Sequence, residues 1–318
     1  MRVLFAGTPA SAVPVLEYLL SSEHEVVAVL TRPPAKSGRG RRLTPSPVAQ
    51  LAERSGIKVY TPSSLKDAQQ RPDFAQMQVD VAVVVAYGLL IPKDLLEVFP
   101  YGWLNLHYSL LPKWRGASPV QHSRIAGEEI TGVSIFKIDE GMDTGPIYAV
   151  DPIRVAPQTT ADLLLQRLTD SGIKLLPHVL KALEGGIPKA HPQSSQGGSY
   201  APLLSKADAR IPWNKEAGAV LDMICAFTSQ PGAWTVLPDG KRITVYPAIE
   251  MKDHNTLAPG QVQITKHEVT VGTATNDVKL TFVTPAGKKE MAADAWGRGQ
   301  HYGNEFFFAL PSCSEGDL

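Results

Sequence analysis

Cysteine is almost missing from this chain of 318 residues: Cys225 and Cys313 are the only two, far apart and with no CxxC spacing. That usage fits a reducing cytoplasm and argues against a thiolate metal site. The eight histidines are scattered, none with a second histidine or a cysteine at ligand-like spacing, so metal catalysis is not expected. An excess of one charge is missing too. Lysine plus arginine equals aspartate plus glutamate at 31 each, so any affinity for RNA must come from local patches. No apolar run approaches a membrane span. Met1-Arg2 leads directly into the strand-like Val3-Leu4-Phe5-Ala6, without the charged and then apolar leader of a secreted protein. A cytoplasmic protein with no membrane partner is therefore expected. Two nucleotide motifs are absent as well. Phe5-Ala6-Gly7-Thr8-Pro9 stands where a dinucleotide fold wants GxGxxG, and no GxxxxGK[ST] occurs, which argues against nicotinamide and against a P-loop.

What is present suggests two domains. The length exceeds that of most single domains, and the first half alternates apolar runs with helix-like segments, the pattern of a mainly parallel sheet covered by helices. Strands are expected at residues 2–6, 25–30, 57–60, 81–86, 103–107, 132–138 and 147–155. The run at 81–86 is so uniformly small and β-branched that it reads as a central strand buried on both faces. The run at 147–155 looks like an antiparallel or edge partner, the only place where Pro152 is tolerable. Thr8 with Pro9, Ser46 with Pro47, and Pro92 are read as helix starts, and a long helix is expected over 163–184. Residues 185–205, rich in Gly, Ser, Pro and Gln, read as a linker. Beyond 209 come a helix at 215–226 and short alternating runs at 233–237, 243–246, 260–264, 268–271 and 278–283, which suggest a small barrel.

Three stretches carry chemistry. In Asn105-Leu106-His107, strand alternation puts the amide and the imidazole on one face, and Pro112 and Gly116 place them near the strand's end, where open α/β sheets bind ligands. Such a pair suits carbonyl chemistry; it also suits a satisfied Asn/His pair at a sheet edge. The second stretch, Gly141-Met142-Asp143-Thr144-Gly145, holds a carboxylate between glycines, either an Asx-type turn or a partner for His107. As a partner, Asp143 would raise the imidazole pKa and favour its charged form. Asn105 and a charged His107 would then stabilise an oxyanion while Asp143 accepts protons, directly or through water. The third runs from Arg32 to Arg42 with five cations and no acid, on a glycine-hinged loop after the second strand. It is either a solvated loop or a phosphate-binding one.

Taken together, these motifs resemble the methionyl-tRNA formyltransferase family. The likeness rests on Phe5-Ala6-Gly7-Thr8-Pro9, Arg39-Gly40-Arg41 through Pro47-Val48, Val84-Val85-Ala86-Tyr87-Gly88, Asn105-Leu106-His107 with Ser109-Leu110-Leu111-Pro112, Trp114-Arg115-Gly116-Ala117, and Gly141 to Gly145. It continues through Leu204-Ser205-Lys206, Arg210-Ile211-Pro212-Trp213 and Pro285-Ala286-Gly287-Lys288-Lys289, nearly the whole length. The resemblance implies an α/β Rossmann-like formyltransferase domain with a mainly parallel sheet (1–184), a linker (185–208) and an OB-like β-barrel that binds tRNA (209–318). It implies transfer of a formyl group from 10-formyltetrahydrofolate to the α-amine of methionyl-initiator tRNA, with no metal, by a monomer. By the same resemblance Asn105, His107 and Asp143 are catalytic. Ser109, Leu110, Leu111, Pro112, Ala86, Tyr87, Leu89, Ile138 and Asp139 form the folate site. Lys36, Arg39, Arg41, Arg42 and Lys206 contact tRNA. Tyr108, Pro146 and Thr228-Ser229-Gln230 depart from the family pattern. Acids are at least as numerous as bases from Ala209 on, so an RNA face there must be one-sided, at Lys241, Arg242, Lys288 and Lys289. Two other readings stand beside this one: a formyltransferase for a small amine, and a folate- or RNA-binding module without catalysis.

Overall fold

The computed structural model describes residues 1–37, 42–186 and 189–310. Its contacts divide it into two units. The first comprises Met1–Gly116, Ile130–Arg154 and Leu165–Ala201; the second comprises Ala117–Glu129, Val155–Leu164 and Pro202–Leu318.

The first unit is built on a seven-stranded sheet. Its strands are β1 (Arg2–Gly7), β2 (Glu25–Leu30), β5 (Lys58–Tyr60), β6 (Val81–Val85), β7 (Trp103–His107), β8 (Ile130–Lys137) and β9 (Ile147–Arg154). A separate hairpin, β3 (Ala35–Ser37) with β4 (Arg42–Thr44), falls between β2 and β5 in the chain. The sheet order is β5-β2-β1-β6-β7-β8-β9, parallel up to β7 and antiparallel from β7 to β9. Every residue of β6 is buried, as its β-branched run required. Helix α1 (Val13–Ser21) follows β1, and α2 (Pro47–Arg54) starts at Ser46, whose Oγ accepts from the Ala49 N–H at 3.0 Å.

Two expected helix starts are different here. Thr8 caps nothing: its hydroxyl donates to the Tyr87 carbonyl at 2.7 Å, and a 3-10 turn over Ala10–Ala12 precedes α1. Pro92 opens only a 3-10 turn at Lys93–Leu95. The segment read as a linker is pinned to this unit through residue 201. His191 exchanges two backbone hydrogen bonds with Ile147, both 2.8 Å, and the Arg115 N–H donates to the Ser199 carbonyl at 2.9 Å.

In the second unit, α3 (Pro119–Ile125), which the sequence pattern did not suggest, packs on α5 (Ala217–Ala226). The long helix α4 (Ala161–Glu184) supplies residues to both units. Two antiparallel sheets follow. One orders β10 (Trp234–Val236), β11 (Arg242–Val245), β16 (Phe282–Pro285) and β17 (Met291–Ala292); the other orders β12 (Ile249–Glu250), β15 (Val278–Leu280), β14 (Val269–Val271), β13 (Gln261–Ile264) and β18 (Glu305–Phe307). Thr281 breaks the strand expected over 278–283, and α6 (Ala293–Gly299) follows β17. The core gathers Trp213, Ile224, Phe227, Val245, Val262 and Phe308. Trp213 stacks on Phe308 at 5.6 Å and satisfies its buried indole N–H on Thr235 Oγ1 at 3.0 Å.

Candidate functional site

Strand β7 sets the first two groups. Leu106 faces helix α4, so close that a Cβ on Gly172 would lie 2.5 Å from its Cδ1. Alternation then turns Asn105 and His107 to the opposite face. Asn105 is half-buried, and among the described residues its carboxamide has no hydrogen-bond partner. His107 is only 5% exposed, and its Nε2 lies 2.9 Å from the Trp114 carbonyl oxygen. A carbonyl can only accept, so Nε2 carries the hydrogen and the neutral ring keeps its lone pair on Nδ1.

Asp143 arrives by a longer route than the sequence suggested. Because β8 runs antiparallel, Lys137 at its end pairs with Leu104 at the start of β7, while His107 pairs with Ser134. The loop after β8 must therefore turn back by three residues, about 10 Å of strand. Asp139 folds it, its Oδ1 accepting from the Gly141 N–H at 3.0 Å and the Thr144 hydroxyl at 2.7 Å. Glycine is needed at both ends: a Cβ at Gly141 would lie 1.9 Å from Thr144 Oγ1, and one at Gly145 would lie 1.7 Å from the Lys137 oxygen. Asp143 adopts a left-handed φ of 54°. Its Oδ2 accepts from the Gly116 N–H at 2.7 Å and stands 3.7 Å from His107 Nδ1. With the ring neutral, both of these atoms are acceptors, and a separation beyond hydrogen-bond length is what two acceptors with no proton between them keep.

The expectation of a charged imidazole is corrected by its surroundings. Burial lowers the His107 pKa below the ordinary 6.5, opposed by the Asp143 charge and then by the hydrogen bond to Trp114. Desolvation wins because the ring is almost fully enclosed, whereas Asp143 stays too far away to share a proton. The sign for stability follows. Below pH 6.5 the unfolded chain takes up a proton that the folded chain refuses, so this group's contribution falls as pH drops from 6.5 towards the lowered folded value. The slope in that window is at most about 1.4 kcal/mol per pH unit. Imidazole 15N shifts are expected to report His107 as the neutral Nε2–H tautomer, less than half protonated at pH 6.5. Half-protonation at or above that pH would mean that Asp143 outweighs burial.

The other residues singled out by sequence fall around this centre or away from it. Ser109 is fully buried; its hydroxyl donates to the Lys113 carbonyl at 2.6 Å and its own carbonyl accepts from Ser134 Oγ at 2.7 Å, so it shapes the turn. Leu111 is buried and held by Ser134 Oγ at 3.1 Å, while Leu110 and Pro112 are half-buried. After β6, Ala86 is exposed at φ 47° and Leu89 half-buried, but the Tyr87 ring lies inside the apolar core and its carbonyl accepts from the Thr8 hydroxyl. Ile138 and Asp139 are half-buried, and Asp139 Oδ1 is already used within its loop. Lys36 and Arg42 are exposed on β3 and β4; Arg39 and Arg41 lie outside the described residues. In the second unit Lys206 is exposed, Lys241 pairs with Asp239 at 2.8 Å, and the Arg242 guanidinium sits 3.9 Å above the Trp234 ring. Tyr108 turns towards α4, its hydroxyl 3.2 Å from Thr169 Oγ1, and burial pushes its pKa up to about 12. Trp114, Gly116, Gln193 and Ser199 also belong to this centre; the first two carry a signal in the sequence through the Trp114-Arg115-Gly116-Ala117 motif, and Gln193 and Ser199 carry none. Gly116 has φ 121°, and a Cβ there would lie 2.7 Å from the Ala201 oxygen.

Among the described residues no helix is long and apolar enough to cross a membrane, and no three His, Cys, Asp or Glu side chains are grouped to hold a metal. Residues 1–180 match the formyl transferase family model, and residues 203–301 match that of the formyl transferase C-terminal domain. The chain is 48% identical over 300 residues to a methionyl-tRNA formyltransferase of Rhodococcus erythropolis, covering 94% of this chain and 97% of the relative. It is 45% identical over 315 residues to the enzyme of the same name from Acidothermus cellulolyticus, covering 94% and 97%. In fold it is similar to an N-formyltransferase from Helicobacter canadensis, solved with folinic acid and dTDP-3-aminofucose, at TM-score 0.64 and 19% identity, covering 88% of this chain and 98% of that one.

Proposed function

The chain belongs to the formyl transferase family, and from that premise we propose that it moves a formyl group from 10-formyltetrahydrofolate to the α-amine of methionyl-initiator tRNA. The observation that carries this reading is the His107–Asp143 pair, facing one another at 3.7 Å beside an open Asn105 amide. The amine nitrogen attacks the formyl carbon, a C–N bond forms, and the carbonyl electrons move onto oxygen. Asn105 donates to that oxygen. The amine proton passes to the empty position between Asp143 and His107 Nδ1. The imidazolium so formed is stabilised by the nearby carboxylate and adds its own positive charge against the oxyanion. Collapse returns the carbonyl, breaks the bond to the folate nitrogen, and delivers the proton there. The products are formyl-methionyl-tRNA and tetrahydrofolate, with atoms and charge balanced.

Folate is the co-substrate, with the bend at Ala86, Tyr87 and Leu89, the turn from Ser109 to Pro112, and the loop at Ile138 and Asp139 as its walls. Lys36, Arg39, Arg41, Arg42 and Lys206 carry tRNA; a catalytic domain 1–184 is followed by a connecting segment 185–208, which holds Lys206, and by a tRNA-binding domain 209–318. The protein acts as a monomer in the cytoplasm, where initiator tRNA is charged. Acceptor choice tests this. Given 10-formyltetrahydrofolate, the purified protein is expected to formylate methionyl-initiator tRNA at least about 10³-fold faster per mole than free methionine or an amino sugar at equal concentration, a gap of about 4 kcal/mol. Equal or higher rates on the small amines would transfer the assignment to a small-amine formyltransferase.

A further inference from the structure

We infer that Gln193 is a positioning residue for formyl transfer, the clamp that sets the Asp143 carboxylate against His107. This rests on the catalytic reading of Asp143 above. Gln193 lies in the Gly- and Ser-rich stretch that resembles a linker, and its side chain is half-buried. Its amide group donates to the Asp143 carbonyl at 2.7 Å and to the Gly145 carbonyl at 2.8 Å. Its oxygen accepts from Arg115 Nε at 3.1 Å and Nη2 at 2.7 Å. Both hydrogens and both lone pairs of the carboxamide are thus used. The partners also fix which end is which. A guanidinium can only donate and a carbonyl can only accept, so a flipped amide would lose all four bonds.

Three features make this contact more than loop packing. The loop bearing Asp143 leaves β8 at the wrong end of β7 and has to be held where it turns back. Asp143 sits at a left-handed φ of 54°, uncommon outside glycine though better tolerated by aspartate than by most residues, and the carbonyl of this turn residue is one of the two that Gln193 holds. Gln193 also grips Arg115, next to the Gly116 whose N–H binds Asp143 Oδ2 at 2.7 Å, so one side chain ties together both supports of the carboxylate. Gln193 is itself anchored on both sides, by His191 pairing with Ile147 and by Ser199, whose hydroxyl accepts from the Trp114 N–H at 2.9 Å. Glutamate could not substitute, because it would set a charged oxygen against two carbonyl oxygens.

The test is a double-mutant cycle between Gln193→Leu and Asp143→Asn, with Gln193→Asn as a milder variant whose shorter side chain cannot span Arg115 and the two carbonyls together. Gln193→Leu is expected to lower kcat for methionyl-tRNA formylation about ten-fold or more with KM for both substrates little changed. The same substitution in the Asp143→Asn background is expected to cost less than about two-fold, since the carboxylate it positions is gone. The 15N titration of His107 is expected to move further down in Gln193→Leu and Gln193→Asn, because the opposing Asp143 charge drifts away. Wild-type kcat in Gln193→Leu, an equal loss in both backgrounds, or an unmoved His107 titration would each overturn the proposal. Should Gln193→Leu not fold, Gln193→Asn decides by the same three readouts. A wild-type protein that formylates no tRNA would overturn the functional reading instead, while the His107 titration would still report on Gln193.

Discussion

Asp143→Asn is expected to lower kcat by about 10²–10⁴-fold, the range typical of a lost acid–base group. The substitution preserves shape, and an asparagine oxygen can still accept from the Gly116 N–H that holds Oδ2 at 2.7 Å. That oxygen is also the atom facing His107 Nδ1 at 3.7 Å, so the NH2 takes the Oδ1 place, and the neutral amide is far too weak a base to share the amine's proton. Negative charge is lost as well, so the imidazolium that must form in a nearly closed site keeps only the Trp114 carbonyl to oppose its desolvation. KM is expected to stay within about two-fold for folate and tRNA, because the interaction is made mainly in the transition state. Steady-state kinetics with both substrates varied, alongside a thermal melt to establish that the variant folds, check this. A KM effect with unchanged kcat would make Asp143 a binding residue.

Asn105→Ala is expected to be the second most damaging change, lowering kcat by about 10²–10³-fold as the loss of one oxyanion donor does. The side chain is half-buried and unpartnered among the described residues, so its removal is expected to alter stability by no more than about 0.5 kcal/mol. That combination separates catalysis from folding. If Asn105 and His107 were only a satisfied pair at a sheet edge, the reverse would be measured: a lowered melting temperature and nearly normal kcat. Asn105→Asp should be no better than alanine, since a carboxylate would repel the oxyanion it replaces a donor for.

The parts of this site legible in the sequence are those governed by short-range rules. Alternation along residues 103–107 put Asn105 and His107 on one face, and the proline and glycine beyond marked the end of the strand. Ser46 before Pro47 identified a helix start that the cap hydrogen bond bears out. Local rules gave way wherever a distant segment supplied a better partner. Thr8 met the Tyr87 carbonyl and left the helix end uncapped, and Pro92 had only one turn of chain before the next apolar contacts. The two-residue strands β12 and β17 are too short for periodicity to reveal. Strand direction was the costliest gap. Pro152 marks β9 as an antiparallel or edge strand, but nothing in residues 130–138 says that β8 runs against β7, so the return path of the Asp143 loop, and with it the need for Gln193, is not legible there. The His107 charge escapes the sequence for a related reason: residue order names a nearby carboxylate but gives neither the depth of burial nor the 3.7 Å gap.

The most direct measurement follows one labelled formyl group through a single turnover. Enzyme in excess is mixed with 10-formyltetrahydrofolate carrying a labelled formyl carbon and with methionyl-initiator tRNA, then quenched in time. The ester is hydrolysed and the amino acid recovered. The label is expected in N-formylmethionine, one for each tetrahydrofolate produced, with both appearing at the same rate and both abolished together in Asp143→Asn. Label recovered as free formate, or tetrahydrofolate formed without formylmethionine, would contradict direct transfer to the α-amine.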